Sequence, residues 1–176
     1  MGDERKTHLI LVGLPGSGKS TVGKAVAAAL DRPFMDLDAE IERREAMTVA
    51  EIFAARGEQS FRELERLVTN ELRTAPPTIL APGGGWIANP GCAALLCPPA
   101  TMIYLLTSPA RAVRRMGSKI QKRPLLAGAY PVAGLEKLLT AREKLYLQAD
   151  HTVSVDSIPF KTIVERIPRY RYGRAW

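Results

Sequence analysis

Cysteine and histidine are scarce in this chain, two of each, and aromatic side chains make up only 6% of its 176 residues. Cys92 and Cys97 have neither metal-ligand spacing nor a histidine companion, which argues against a metal centre or a disulfide scaffold and suits the thiols of a reducing cytosol. No apolar run approaches the ~20 residues of a membrane span. Residues 1–6 are polar and charged, so no secretory signal is read and a cytoplasmic location is expected. Also missing are a lysine-rich block, an arginine-glycine repeat and any regular alternation of basic and aromatic residues. The net charge of +7 therefore does not read as a nucleic-acid surface, and nucleic acid is not expected as a partner. Arginines stand singly instead, at Arg62, Arg115, Arg123 and Arg142, as a pocket closing on small anions would require. The basic run at 169–174 leaves a surface role open. Repeats and low-complexity linkers are absent, and the length suits one domain with its own core.

What the chain does contain is Gly13-Leu14-Pro15-Gly16-Ser17-Gly18-Lys19-Ser20-Thr21, a full G-x-x-x-x-G-K-S match. It lies between a short apolar segment at 8–12 and an alanine-rich stretch of helical period at 22–30. Strand, glycine loop and helix are the context this motif needs. The glycines let successive backbone N–H groups turn inward toward phosphate oxygens, and the helix adds its partial positive end. Lys19 can reach the β- and γ-phosphates, and the Ser20 hydroxyl can ligate Mg²⁺. The chain reads as binding a nucleoside triphosphate.

Beyond the loop, residues 32–36 read as a second strand with Asp36 at its end, and 38–44 as a short helix. Thr48 and Glu51 match a capping box, opening a helix that should stop at Gly57. A second periodic stretch runs over 58–73. Strands follow at 78–81, leading into Gly83-Gly84-Gly85, and at 101–105. A helical stretch starts within 90–94, and Ser108-Pro109 is a helix start. Periodicity dissolves over 116–131, a basic segment long enough to suggest a mobile lid. Residues 134–149 are helical again, 152–155 form a last strand, and a helix follows Pro159. This alternation predicts an α/β fold, a five-stranded parallel sheet covered by helices on both faces, with strand ends gathered on one ligand-binding edge.

Several motifs in this order make the chain similar to the shikimate kinase family. They are residues 13–21, Asp36-Leu37-Asp38 with Ile41-Glu42, Gly57-Glu58 with Phe61-Arg62 and Glu65, the triple glycine, Arg123-Pro124-Leu125-Leu126, and Arg142 with Leu145-Tyr146. The resemblance spans nearly the whole length. It implies a P-loop fold of nucleoside-monophosphate-kinase type, a single kinase domain over 1–176 with an acceptor-binding helical region at about 38–74 and a lid at about 116–131. It also implies transfer of the ATP γ-phosphoryl group to the 3-hydroxyl of shikimate, a step of chorismate and aromatic amino acid biosynthesis, by a monomer using Mg²⁺.

On that resemblance Asp36 joins Ser20 at the metal, and Asp38 binds acceptor hydroxyls and takes the proton of the attacking oxygen. Alternatively, both aspartates cap a helix. Arg62 and Arg142 would converge on the acceptor carboxylate, with Glu65 orienting Arg62; blandly, Arg62 and Glu65 are a solvated surface pair worth about 0.2–0.5 kcal/mol. Gly83, Gly84 and Gly85 would let the acceptor ring lie against backbone. Arg123 would arrive with the lid to meet the developing charge, and Arg115 would stack on adenine near 156–159. Lys144 stands where the family commonly has proline. A gluconate-type kinase on the same fold and a non-catalytic nucleotide-binding module remain as alternatives.

Overall fold

The computed structural model describes residues 7–118 and 130–170. Arg123, most of the expected lid and the end of the basic tail lie outside the described residues. Five strands form one parallel sheet: β1 Leu9–Val12, β2 Phe34–Asp36, β3 Ile79–Ala81, β4 Thr101–Leu106 and β5 His151–Ser154, in the order β2-β3-β1-β4-β5. Every neighbouring pair is parallel, with Ile10 opposite both Leu80 and Met102. The helices are α1 Lys19–Leu30, α2 Leu37–Glu45, α3 Val49–Glu71, α4 Cys92–Leu96, α5 Pro109–Met116, α6 Pro131–Tyr146 and α7 Phe160–Arg166.

Side chains alternate across a strand, so each central strand feeds two cores. Leu9, Leu11, Ile79, Ile103 and Leu105 point to one face, where Val22 and Val26 of α1 and Ile163 of α7 cover them. Ile10, Val12, Leu80, Met102 and Tyr104 point to the other, packed with side chains of α2 to α6. The result is the expected three-layer α/β/α arrangement. Because both faces are covered, β1 reads as an unbroken apolar run, and all four of its residues are buried.

Local signals place most helix ends. Thr48 and Glu51 form a reciprocal capping box at the start of α3, and the Ser108 side chain caps α5 ahead of Pro109. The expected stop at Gly57 is a kink within one long α3: Gly57 sits at φ 79°, ψ 170°, a backbone region essentially reserved for glycine. The second half of α3 carries Phe61, Arg62 and Glu65, so this bend directs them toward the ends of β2 and β3. Among the described residues, no helix is long and apolar enough to cross a membrane.

Candidate active site

A cavity of about 890 Å³ opens at the carboxyl edge of the sheet, lined by the glycine loop, Asp36, Asp38, Arg62, the triple glycine and Arg142. Sheet order explains the convergence. The loop follows β1, Asp36 ends β2 with Asp38 just beyond it, and the triple glycine follows β3, three adjacent strands.

Gly18 is the N-cap of α1 at φ 93°, a left-handed conformation that glycine alone adopts freely. No side chain caps α1 and no acidic residue occupies its first turn, so its N-terminal N–H groups and partial positive charge are left for a ligand. Ser17 is buried, and its hydroxyl has no hydrogen-bond partner. Lys19 Nζ donates to the carbonyls of Gly13 at 2.9 Å and Leu14 at 3.0 Å, bracing the loop from inside. An ammonium, an unsatisfied hydroxyl and an uncapped helix end make a cradle for phosphate.

Beside it, Ser20 Oγ donates to Asp36 Oδ2 at 2.6 Å. Asp36 Oδ1 also accepts from the Ala39 N–H at 3.3 Å and so caps α2. The helix-capping reading of Asp36 thus holds together with its pairing to Ser20. A hydroxyl and a carboxylate side by side are hard oxygen donors suited to Mg²⁺, which takes few protein ligands and completes its shell with water and phosphate. No cluster of three or more metal-ligating His, Cys, Asp or Glu side chains occurs among the described residues.

Asp38 is not a cap. It lies in the first turn of α2, and its carboxylate occupies the space where a side chain on Gly83 would begin. The triple glycine repeats this pattern. A Cβ on Gly84 would sit 3.1 Å from Pro15 and 3.7 Å from Arg142 Nη1, and one on Gly85 would sit 2.5 Å from Arg62 Nη1. None of the three has positive φ. The Asp38 carboxylate, the Pro15 ring and the Arg62 guanidinium thus crowd Gly83, Gly84 and Gly85 in turn. Arg142 Nη1 and Tyr146 Oη both donate to the Gly84 carbonyl, at 2.9 and 3.2 Å. Tyr146 in turn stacks on Tyr104.

Arg62 and Glu65 are not a solvated pair. Glu65 is fully buried, and its Oε2 accepts from Arg62 Nη1 at 2.7 Å. Burial pushes the Glu65 carboxyl up; Arg62 and Asn89 pull it back, while nearby Asp38 adds to the rise. The rest of the Arg62 fork meets the exposed Glu58, with Nη2 donating at 2.8 Å and Nε at 3.2 Å. An incoming carboxylate would compete with Glu58 for this fork while Glu65 keeps its hold.

On the other half of the sheet, Arg115 Nη1 donates to Thr107 Oγ1 at 2.8 Å, and Nη2 donates to the Val155 carbonyl and Asp156 Oδ1, each at 2.9 Å. Burial acts to raise the Asp156 carboxyl, but donors from Ser108, Thr107 and Arg115 outweigh it and hold the group below the usual range. Arg115, Val155, Ile158 and Phe160 also line the cavity.

A phosphate cradle thus faces a pocket in which Asp38, Arg62 with its partner Glu65, and Arg142 surround a glycine turn. The shikimate kinase family profile matches residues 15–169. The chain belongs to the shikimate kinase family. It is 40% identical to the shikimate kinase of Thioalkalivibrio sulfidiphilus over 165 residues, covering 93% of this chain and 86% of the relative. Against the shikimate kinase of Mycobacterium avium it is 41% identical over 165 residues, with 90% and 92% covered. The structure of shikimate kinase from Acinetobacter baumannii in complex with shikimate superposes with a TM-score of 0.85 at 34% identity, over 92% of this chain and 90% of that one. A gluconokinase from Sinorhizobium meliloti shares the fold, with a TM-score of 0.62 at 18% identity, over 93% and 90%. The chain is accordingly an ATP-dependent kinase of this family.

Three residues of the site neighbourhood escape a reading of the sequence: Trp86, Asn89 and Thr69. The Trp86 indole donates to Thr69 Oγ1 at 2.9 Å, and Thr69 donates to the Glu65 carbonyl at 2.6 Å. Asn89 precedes a proline and reads as a turn residue, although its side chain reaches α3.

Proposed function

We propose that this kinase transfers the γ-phosphoryl group of ATP to the 3-hydroxyl of shikimate, giving shikimate 3-phosphate and ADP. The observation that carries the reading is the glycine turn at 83–85, which Asp38 and Arg62 crowd and to whose Gly84 carbonyl Arg142 donates, beside the Lys19 loop. Two guanidinium groups suit an acceptor carboxylate because their forks match its paired oxygens. A carboxylate between them and the phosphate cradle suits a hydroxyl that must lose its proton.

In this reading the backbone of residues 16–21, the Ser17 hydroxyl and Lys19 bind the triphosphate. Ser20 and Asp36 would hold Mg²⁺, which when bound neutralises phosphate charge. Arg62 and Arg142 fix the carboxylate end of the acceptor, and Asp38 orients the 3-hydroxyl and receives its proton as the new P–O bond forms. The leaving ADP oxygen keeps the electrons of the broken P–O bond, and Lys19 meets the negative charge on the transferring group. Positioning and fixed charge supply most of the acceleration. The in-plane hydrogen bonds of Arg115 leave its flat face as the surface offered to adenine. Arg123 is assigned the transition-state charge on the sequence resemblance alone, since it lies outside the described residues.

The reading includes a single catalytic domain, supported by both cores sharing one sheet, and a monomer. Free thiols at Cys92 and Cys97 and ATP as donor accord with a cytoplasmic enzyme.

The test is ADP release from Mg-ATP with shikimate and gluconate offered separately. Shikimate-dependent turnover is expected, and turnover with gluconate alone would overturn the assignment of the acceptor. Arg62→Ala should raise KM for shikimate about 10- to 100-fold, the effect of losing hydrogen bonds to a charged group. Lys19→Ala should instead lower kcat by about 10²–10³.

A further inference from the structure

Glu65 has two oxygens and, fully buried, an obligation to satisfy both. Oε2 takes Arg62 Nη1 at 2.7 Å and Asn89 Nδ2 at 3.1 Å, whereas Oε1 has no partner. Asn89 is itself only 5% exposed. Its amide also donates to the backbone carbonyl of Arg62 at 2.9 Å. Both partners of Nδ2 can only accept, so the amide orientation is forced. Asn89 ends the short turn that follows the triple glycine, and its N–H donates to the Trp86 carbonyl at 3.0 Å. One side chain therefore joins the glycine turn to both the backbone and the anchoring carboxylate of the arginine that faces it.

We infer that Asn89 is a positioning residue for the acceptor: by holding Glu65 and the Arg62 backbone together, it fixes the direction in which the Arg62 guanidinium meets the acceptor carboxylate. This rests on the shikimate reading of the pocket. Among the described residues, Glu65 is the acceptor that holds Arg62 from the buried side, because Glu58 on the other side is exposed and must yield to the substrate. A Glu65 carboxylate free to rotate would let the arginine follow it. Asn89 removes that freedom.

The experiment compares Asn89→Ala and Asn89→Asp with the wild-type enzyme. A purely steric role predicts that isosteric aspartate is the milder change. The positioning role predicts the reverse, because aspartate removes the donor and sets a second negative charge against Glu65. In Asn89→Ala, KM for shikimate should rise about tenfold, and in Asn89→Asp about tenfold further, the scale of hydrogen bonds and close charges at buried carboxylates. KM for ATP should stay within about twofold in both. The acid limb of kcat/KM for shikimate should also move to higher pH in Asn89→Ala, since Glu65 loses a donor that favours its charged form. The other charged or titratable groups around Glu65 are Arg62 on its own helix, Asp38 from α2 and Cys92 from α4. These are unchanged in the variant.

Aspartate milder than alanine, or both variants with wild-type KM for shikimate, overturns the role while leaving the shikimate reading intact. If the aspartate variant does not fold, the alanine variant decides, and an unmoved KM and pH profile overturn the proposal. Wild-type enzyme inert toward shikimate overturns the functional reading itself, and the role of Asn89 with it.

Discussion

Among single residues, glycine serves this site in two ways that call for opposite expectations. Gly18 is required for its backbone angle and has nothing within 4 Å of a hypothetical Cβ. Gly83 and Gly85 have ordinary angles but no room, because a carboxylate and a guanidinium fill the space. Substitution in the turn should therefore report on the side chain displaced. Gly83→Ala pushes Asp38 from its place and should lower kcat about 10²-fold or more, the range of a lost general base, with a smaller change in KM for shikimate. Gly85→Ala pushes Arg62 and should raise KM for shikimate about 10- to 100-fold with kcat less affected. Steady-state kinetics with each substrate varied in turn separates the two, and identical profiles would show that the glycines act as one flexible unit.

Among elements, α3 carries both a strong N-terminal cap and the Arg62–Glu65 pair proposed for the acceptor. Its capping box at Thr48 and Glu51 satisfies free donors reciprocally, and Thr48→Ala should cost about 1 kcal/mol by denaturant titration with KM unchanged. Gly57→Ala should behave differently. Space around Gly57 is open, so the penalty comes from backbone angle alone, about 1–3 kcal/mol. Straightening the bend also turns Arg62 and Glu65 away from the turn, so KM for shikimate should rise together with the loss of stability. The cap and the break at Gly57 are legible in sequence because each is set by residues within one turn of chain. The same holds for β1 and for the start of α5. Asn89, Trp86 and Thr69 are opaque for the converse reason: their partners lie 17 to 27 residues away on another element. Likewise the triple glycine is conspicuous in sequence, but the side chains that crowd it come from α2, the glycine loop and α3 and declare themselves only once folded.

At the scale of the whole molecule, buried and paired groups set the pH range of stability. Hydrogen bonds from Arg43 and Arg44 hold the Glu40 carboxyl down at about 2 against an ordinary 4.5. Its folded value is the lower one, so its contribution is present above 4.5 and is lost as pH falls toward 2. Burial moves Cys92 from 9.0 to about 11, Cys97 from 9.0 to about 12 and Tyr104 from 10.0 to about 12. These acids ionise first in the unfolded chain, so the stability they confer is complete below about 9 and declines above it, by about 1.4 kcal/mol per pH unit for each group. Tm should be flat from about pH 5 to 8 and fall on both sides, with Glu40→Gln shallowing the acid branch; an alkaline branch that stays level to pH 11 would contradict the burial of the thiols. The strand order has a further consequence. Asp38, Arg62 and the glycine turn belong to β2, β3 and the helices α2 and α3, the residues beside Arg115 belong to β4 and β5, β1 with its loop lies between them, and Arg142 reaches across from α6. On the proposed reading, acceptor recognition and nucleotide recognition meet at one phosphate loop, so changes confined to α2, α3 and the glycine turn should alter the choice of acceptor while KM for ATP stays as it is.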